Sequence, residues 1–339
     1  LAGVNPERTS PTVLDRLVSP YAHQYNLTVE RKWTSGLVVR LGYLGSRSFK
    51  MVNPFIMNRA EVVPGIPQTL ATVDQRRLDQ TKYDARRIVN AGIGYFDAAQ
   101  VSVDLPSWRG LRATASYSFS KAIDEGTDFT STAANRDMSR GRSQWQYDSL
   151  NDRRGLSNFD SPHSTLFTYS YDLPRLTARR GVLGALLNDW QMAGVSLVKS
   201  GTPLTLYIGS DAPGFGNVDG GTSDRPNILD PSILGRTIGH PDMAPLVVSR
   251  DRFAYLEPGQ QAGNLGKNTF RKARIANWNA AITKQWVWMA AREWRLQFRA
   301  EAYAAQPDLA RLWENHQYSQ RRTGFSVWAP VYPLNSPVQ

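Results

Sequence analysis

Apolar and polar side chains alternate over run after run of about ten residues, and this period of two limits the possible fold more than any other feature. In His23–Trp33, Tyr25, Leu27, Val29 and Trp33 are apolar, while Gln24, Asn26, Thr28, Glu30 and Lys32 are polar. Successive side chains of a strand point to opposite faces, so such a run predicts one apolar and one polar face. A break at Thr34-Ser35-Gly36 precedes Leu37, Val39, Leu41 and Tyr43, with Arg40 and Gly42 opposite, which is a hairpin pattern. The same alternation recurs in Tyr95–Leu105, in Leu111–Phe119 after the connection Pro106–Gly110, and in His163–Leu173. It recurs again in Asn277–Trp288 and, past a turn at Met289-Ala-Ala291, in Trp294–Ala302; Trp190–Lys199 is a less regular strand.

These runs match the ~9–11 residues that a tilted strand needs to cross a bilayer, and are about twice the modal length of a soluble strand. Their connections alternate between short and long. The long ones cover Gly45–Gly94, Lys121–Pro162 and Gly201–Lys272 and carry most of the Pro, Gly and charge. Short turns at one end and long loops at the other are the arrangement of outer-membrane barrels, whereas three such loops are foreign to one compact soluble domain. No stretch approaches the ~20 consecutive apolar residues of a membrane-spanning helix; the apolar patches, such as Leu37–Leu41, are only a few residues long. That excludes a helical membrane protein and leaves a barrel open, since only alternate barrel residues need be apolar. The ten Trp, fourteen Tyr and twelve Phe suit aromatic belts at the two membrane interfaces. The expected fold is therefore all-β: an antiparallel transmembrane β-barrel, in part, of about eight to ten strands, with long extracellular loops. Within the connection Pro174–Asp189, Gly181–Leu187 reads as one helical turn or an interfacial segment.

Little in the chain points to chemistry. With no cysteine, thiolate metal sites, disulfides and Cys nucleophiles drop out. The net charge of +11 is spread over pairs such as Arg76–Arg77, Arg86–Arg87, Arg153–Arg154 and Arg321–Arg322 in loop-like segments, without the basic face or motif of a nucleic-acid binder. His23, His163, His240 and His316 lack metal-ligand spacing and read as barrel-rim residues. The stretch Gly214–Arg225 is rich in Gly and Asp but has neither the helix context of a phosphate loop nor an EF-hand register; it reads as a turn-rich external loop, with calcium as the alternative. Asp124-Glu125 and Asp128 form an acidic cluster expected to sit solvated in a loop, where nothing would raise a carboxyl pKa. No catalytic, cofactor or metal residue is assigned, ligand-binding residues stay open, and the chain is not expected to be an enzyme. The polar-face residues Gln24, Glu30, Arg40, Arg112, Gln297 and Arg299 are expected to line a lumen.

Several segments resemble TonB-dependent receptors of the Oar-like kind that carry a carboxypeptidase-regulatory-like domain. They are Ser19–Asn26, Gly42–Arg47, Tyr95–Gln100, Tyr117–Asp124, Asn158–His163, Trp190–Gly194, Ser200–Pro203, Asp224–Asn227 and Arg299–Tyr303, in the family's order. The resemblance covers about residues 18–303. It implies an outer-membrane barrel of about twenty-two strands, plugged by an N-terminal domain, driven by the TonB complex of the inner membrane, and carrying an unidentified substrate. Its implied partners are outer-membrane lipid, the plug and TonB, with no cofactor and no nucleic acid.

The plug and the energy-coupling box would lie upstream of Leu1, so the chain is expected to be the C-terminal barrel portion (residues 1–303) of a longer protein. Beyond Tyr303 the sequence leaves the family pattern, turning to Ala304-Ala-Gln-Pro307 and ending Pro-Val-Gln339; residues 304–339 read as a divergent irregular tail, through truncation, a frameshift or divergence. Two other readings stay open. One is a small complete outer-membrane barrel with a structural or adhesive role, since eight strands can close. The other is a soluble extracellular glycan-binding β domain, which requires shorter strands.

Overall fold

The computed structural model describes residues 8–125, 144, 150–177, 181–208, 218, 224–238, 248–260, 262–289 and 293–304. Its frame is one sheet whose main path runs through eight strands paired antiparallel, each to its neighbour: β2 (Tyr21–Lys32), β3 (Val38–Met57), β4 (Ala85–Trp108), β5 (Leu111–Asp124), β7 (His163–Asp172), β8 (Trp190–Lys199), β14 (Ile275–Met289) and β15 (Glu293–Ala304). Two short strands lie off this path: β1 (Thr12–Leu14), parallel to β4, and β6 (Gly155–Leu156), antiparallel to β5. Among the described residues, neither the free edge of β2 nor that of β15 has a partner, so the sheet is open and forms part of a barrel wall. No described helix is long and apolar enough to cross a membrane.

Register turns the period-two pattern into two faces. Val29, Leu41, Val101, Tyr117, Thr165 and Val198 stand opposite one another in a single row across six strands. One residue along, Glu30, Arg40, Ser102, Ser116, Leu166 and Leu197 make the matching row on the other face. The first face is apolar and open, with Leu27, Val29, Leu41 and Phe119 all more than half exposed. Large apolar side chains left uncovered over a whole sheet face need a solvent other than water.

All short connections lie at one end. At the β4–β5 hairpin, Arg109 and Gly110 both have positive φ (49° and 85°), the left-handed pair of a two-residue turn whose twist suits antiparallel strands. This corrects the five-residue connection expected over Pro106–Gly110: a register shift between Leu105 and Trp108 carries the strand to Trp108. The β2–β3 turn occupies Thr34-Ser35-Gly36, as the sequence indicates. Residues 290–292 lie outside the described residues, and Met289 pairs with Glu293 on either side of them.

At the other end, β3 and β4 run far past the length a membrane requires, at 20 and 24 residues. Much of the expected loop Gly45–Gly94 is therefore strand, and only residues 58–84 connect the two. Register shifts between Ser48 and Asn53 mark where the pair bends away, the usual effect of bulges. The link between β5 and β7 holds α1 (Leu150–Arg153) and β6, while the β7–β8 link holds α2 (Val182–Leu187). The β8–β14 connection contains β9 (Pro203–Leu204), β10 (Asn227–Ile228), β11 (Thr237–Ile238), β12 (Phe253–Ala254) and β13 (Phe270–Lys272). These build two small sheets, β11-β13-β9 and β10-β12, over a core of Leu204, Leu206, Ile233, Phe253, Leu265 and Phe270. Of the irregular tail expected over residues 304–339, Ala304 is instead the last residue of β15, and residues 305–339 lie outside the described residues.

Candidate functional site

On the inner, polar face charged side chains pair across strands. Arg40 of β3 binds Glu30 of β2 (Nε to Oε2, 2.5 Å) and Asp104 of β4. Arg112 faces Asp172 at 4.0 Å, and Gln191 donates to the same carboxylate at 2.8 Å. Within β15 itself, Arg299 pairs with Glu301, which also accepts the Tyr303 hydroxyl at 2.5 Å. A groove of about 660 Å³ runs across this face, lined by Asp104, Arg112, Thr114, Thr168, Asn279 and Arg299 among others. The wall is not uniformly polar: Leu166 and Val195 point inward and are 42% and 43% exposed.

Toward the long-loop end, the outer face carries rings and cations. Asp97 accepts from Tyr43 (2.7 Å) and, through both carboxylate oxygens, from Nη2 of Arg47 (3.0 and 2.9 Å), whose guanidinium lies over the Tyr25 and Tyr95 rings. His23 packs edge-on against both Tyr21 and Phe49, which stack on each other, and His163 is hydrogen-bonded through Nδ1 to the Tyr117 hydroxyl at 2.7 Å. At the opposite end stand Trp108, Trp190 and Trp286, close to the turns. Two aromatic belts bounding an apolar band are what a bilayer selects at its interfaces.

The long connections interlock through buried charge. Lys267, in the β8–β14 connection, reaches Asp124 at the end of β5 at 2.9 Å, with both side chains under a tenth exposed. Arg271 binds Asp160 at 2.5 Å, and Arg225 binds Asp152. Gln144 is a hub: its amide accepts from the Arg225 and Gly263 backbones (2.7 and 3.1 Å) and donates to the Gly263 carbonyl and to Asp152. Arg76, from the β3–β4 connection, is buried and donates to the Glu61 and Val218 carbonyls, while Ala60, Val73 and Val218 make a small apolar cluster. Asn58 fastens the base of that connection, donating to the Asp79 and Tyr83 carbonyls and accepting from the Asp79 amide. Lys82 and Thr81 hold the exposed Asp79 carboxyl down at about 2, and burial pushes the Lys272 ammonium below its ordinary value.

A profile of the outer membrane beta barrel domain matches residues 2–305. The chain belongs to that family. Its place is the bacterial outer membrane, and the apolar face of the sheet is its lipid-facing surface. The chain matches no curated protein. Among solved structures it is similar to the outer membrane transporter YddB from Escherichia coli, at 8% identity and a TM-score of 0.39, over 81% of this chain and 28% of that one. The chain thus spans under a third of that transporter's length.

Within this outer-membrane barrel domain, the residues singled out in the sequence fall into three groups. The expected lumen residues Glu30, Arg40, Arg112 and Arg299 share the inner face and are engaged in ion pairs; Gln24 and Gln297 follow the same alternation. His23 and His163 stand near the long-loop rim, while His240, His316, Asp128, Arg321–Arg322 and most of Gly214–Arg225 lie outside the described residues. Among the described residues no group of three or more His, Cys, Asp or Glu could hold a metal ion.

Two further expectations are overturned. Asp124 and Glu125 are not solvated but buried, paired with Lys267 and with Arg153 (3.9 Å). Arg86–Arg87 lie within β4 rather than in a loop. Sequence reading missed the interlocking network because its partners are far apart: Asp124 and Lys267 are separated by 143 positions, and no local pattern announces such a pair.

Proposed function

We propose that this domain is a wall segment and external mouth of a TonB-dependent transporter, a larger plugged barrel that admits a bulky substrate. The open sheet carries the reading. A full-length strand edge cannot face lipid with its N–H and C=O groups unsatisfied, and among the described residues β2 and β15 do not pair with each other, which favours further strands beyond both edges and a barrel of more than eight. The inward-facing Leu166 and Val195 support it too: a water-filled pore has no use for exposed apolar side chains on its wall, whereas a folded plug covers them. The ordered run of segments resembling TonB-dependent receptors supplies the family within which these two features make sense. The interlocked external connections then form the surface that meets the substrate.

Conductance of the full-length protein in planar lipid bilayers tests this. A plugged transporter is electrically silent until mild urea loosens the plug, then opens a large pore. A pore open from the first insertion, or a full-length product without a plug and without crosslinks to TonB in cells, would refute the proposal.

A further inference from the structure

The β7–β8 connection differs from the others at the short-turn end. Where its neighbours turn within a few residues, this one spans residues 173–189 and folds α2 against the wall. Val182 is 79% exposed, Leu183 and Leu186 are each 52% exposed, and Leu187 and the nearby Leu176 are open as well. A six-residue helix has no stability of its own in water, and one showing four large aliphatic side chains would lose further by their hydration.

What holds it is specific. Trp190 Nε1 donates to the Leu186 carbonyl at 2.9 Å, and Trp286 Nε1 to the Ala185 carbonyl at 2.8 Å. Lys284, 2% exposed, donates to the Asn188 carbonyl just past the helix. Asn188 closes the base of the connection with two hydrogen bonds to the Thr177 backbone, at 2.9 and 3.0 Å.

The position of these anchors decides which side of the wall the helix occupies. Trp190, Lys284 and Phe298 stand opposite one another, two residues along from the row Met192, Ile282 and Ala300, on the lipid-facing side. The helix therefore lies outside the barrel wall, at the rim, and its open aliphatic face continues the lipid-facing strip of Ile282 and Phe298. Caught on that face, Lys284 would be costly as a bare charge near hydrocarbon; the Asn188 carbonyl and the Trp286 ring satisfy it and turn it into the fastening of the helix.

We propose that α2 is an in-plane membrane anchor, whose Val182, Leu183, Leu186 and Leu187 sink into the headgroup–acyl boundary of the phospholipid leaflet at the short-turn rim. The inference rests on the membrane location of the barrel and is independent of the transporter reading. The chain itself contains no cysteine, so once any cysteine elsewhere in the full-length protein is replaced by serine, each label sits at one chosen site. Three single variants, Leu183→Cys, Leu27→Cys on the lipid face and Ser35→Cys in the β2–β3 turn, are labelled with an environment-sensitive fluorophore. The full-length protein is then reconstituted into phosphatidylethanolamine–phosphatidylglycerol vesicles containing lipids spin-labelled near the headgroup or deep in the chain. At position 183 the shallow label should quench several-fold more than the deep one, with several-fold protection from aqueous iodide relative to position 35. A label at 183 as open to iodide as at 35, while 27 is quenched by lipid, overturns the anchor. Loss of lipid quenching at 27 as well would overturn the facing of the whole sheet along with it.

Discussion

Ala115 and Ser116 are neighbours on β5, yet the register sends them to opposite solvents: Ala115 stands in the row with Val103 and Phe167, and Ser116 with Ser102 and Leu166. The depth of Ala115 follows from strand geometry. It lies four residues above Leu111 at the turn; at ~3.4 Å per residue and a tilt of ~40°, that is a rise of about 10 Å within an apolar band about 25 Å tall. Ala115 is thus within a few ångströms of the midplane. Lys121, ten residues up on the same face, comes out at about 26 Å by the same arithmetic, beyond the band, where a cation is at ease. Arginine at position 115 should therefore meet nearly the full midplane cost, about 2–4 kcal/mol, a factor of roughly 30 to 900 in the folding equilibrium. Arginine at 116 enters the polar interior beside Ser102, and should change stability by less than about 1 kcal/mol, the span of β-propensity itself. Reversible urea unfolding of Ala115→Arg and Ser116→Arg in phospholipid vesicles, followed by tryptophan fluorescence, measures both. Equal losses at the two sites, or the larger loss at 116, would refute the assignment of faces.

Other expectations concern the external connections. Lys267→Met leaves the Asp124 carboxylate buried without that ammonium, and breaking a buried pair costs about 3–5 kcal/mol; hydrogen exchange should show peptides around 155–160 and 264–272 losing protection while β14 and β15 keep theirs. Adding Asp124→Asn should restore most of the loss, and a double variant no better than Lys267→Met would show that the pair is not what binds the connections. Gly263→Ala should open the same region, because a Cβ there would lie 1.8 Å from the Arg225 carbonyl oxygen; an unchanged exchange profile would contradict this packing. Asp79 titrates near 2 in the folded protein against about 3.9 in an unfolded chain. A depressed folded pKa means stabilisation that is complete above about 4 and is lost as pH falls toward 2, so protection of residues 58–84 should hold from pH 7 to 4 and weaken below; a loss already complete by pH 5 would exclude Asp79 as its cause.

The wall was legible because lipid and lumen impose opposite demands on adjacent residues, and that demand is written locally. Leu27 beside Thr28, or Tyr117 beside Ser118, reveals its side without knowledge of any partner. β8 was harder to read for a physical reason: Leu197 and Val195 turn inward while Met192 and Val198 turn out, so both faces are apolar and the alternation fades. The outer halves of β3 and β4 escaped detection because, past the membrane, no lipid enforces the pattern; Lys50 and Asn53 interrupt it, and bulges absorb the extra residues. The external connections were least legible of all. Asp124 and Glu125 look solvated in sequence, and only the arrival of Lys267 and Arg153 from other segments makes their burial possible.

That difference also bears on how the external mouth can respond to whatever binds it. The β8–β14 connection is tied to β5 by Lys267–Asp124, to the β5–β7 link by Arg271–Asp160 and Arg225–Asp152, and to the β3–β4 link through Arg76 and the Val218 carbonyl. Movement that strands one member of such a pair under the connections leaves an uncompensated buried charge, at about 3–5 kcal/mol, a large part of the roughly 8 kcal/mol that a ligand of micromolar affinity supplies. Movement that keeps the pairs intact carries no such cost. Displacements that carry the connections together are therefore favoured over displacements of one against another.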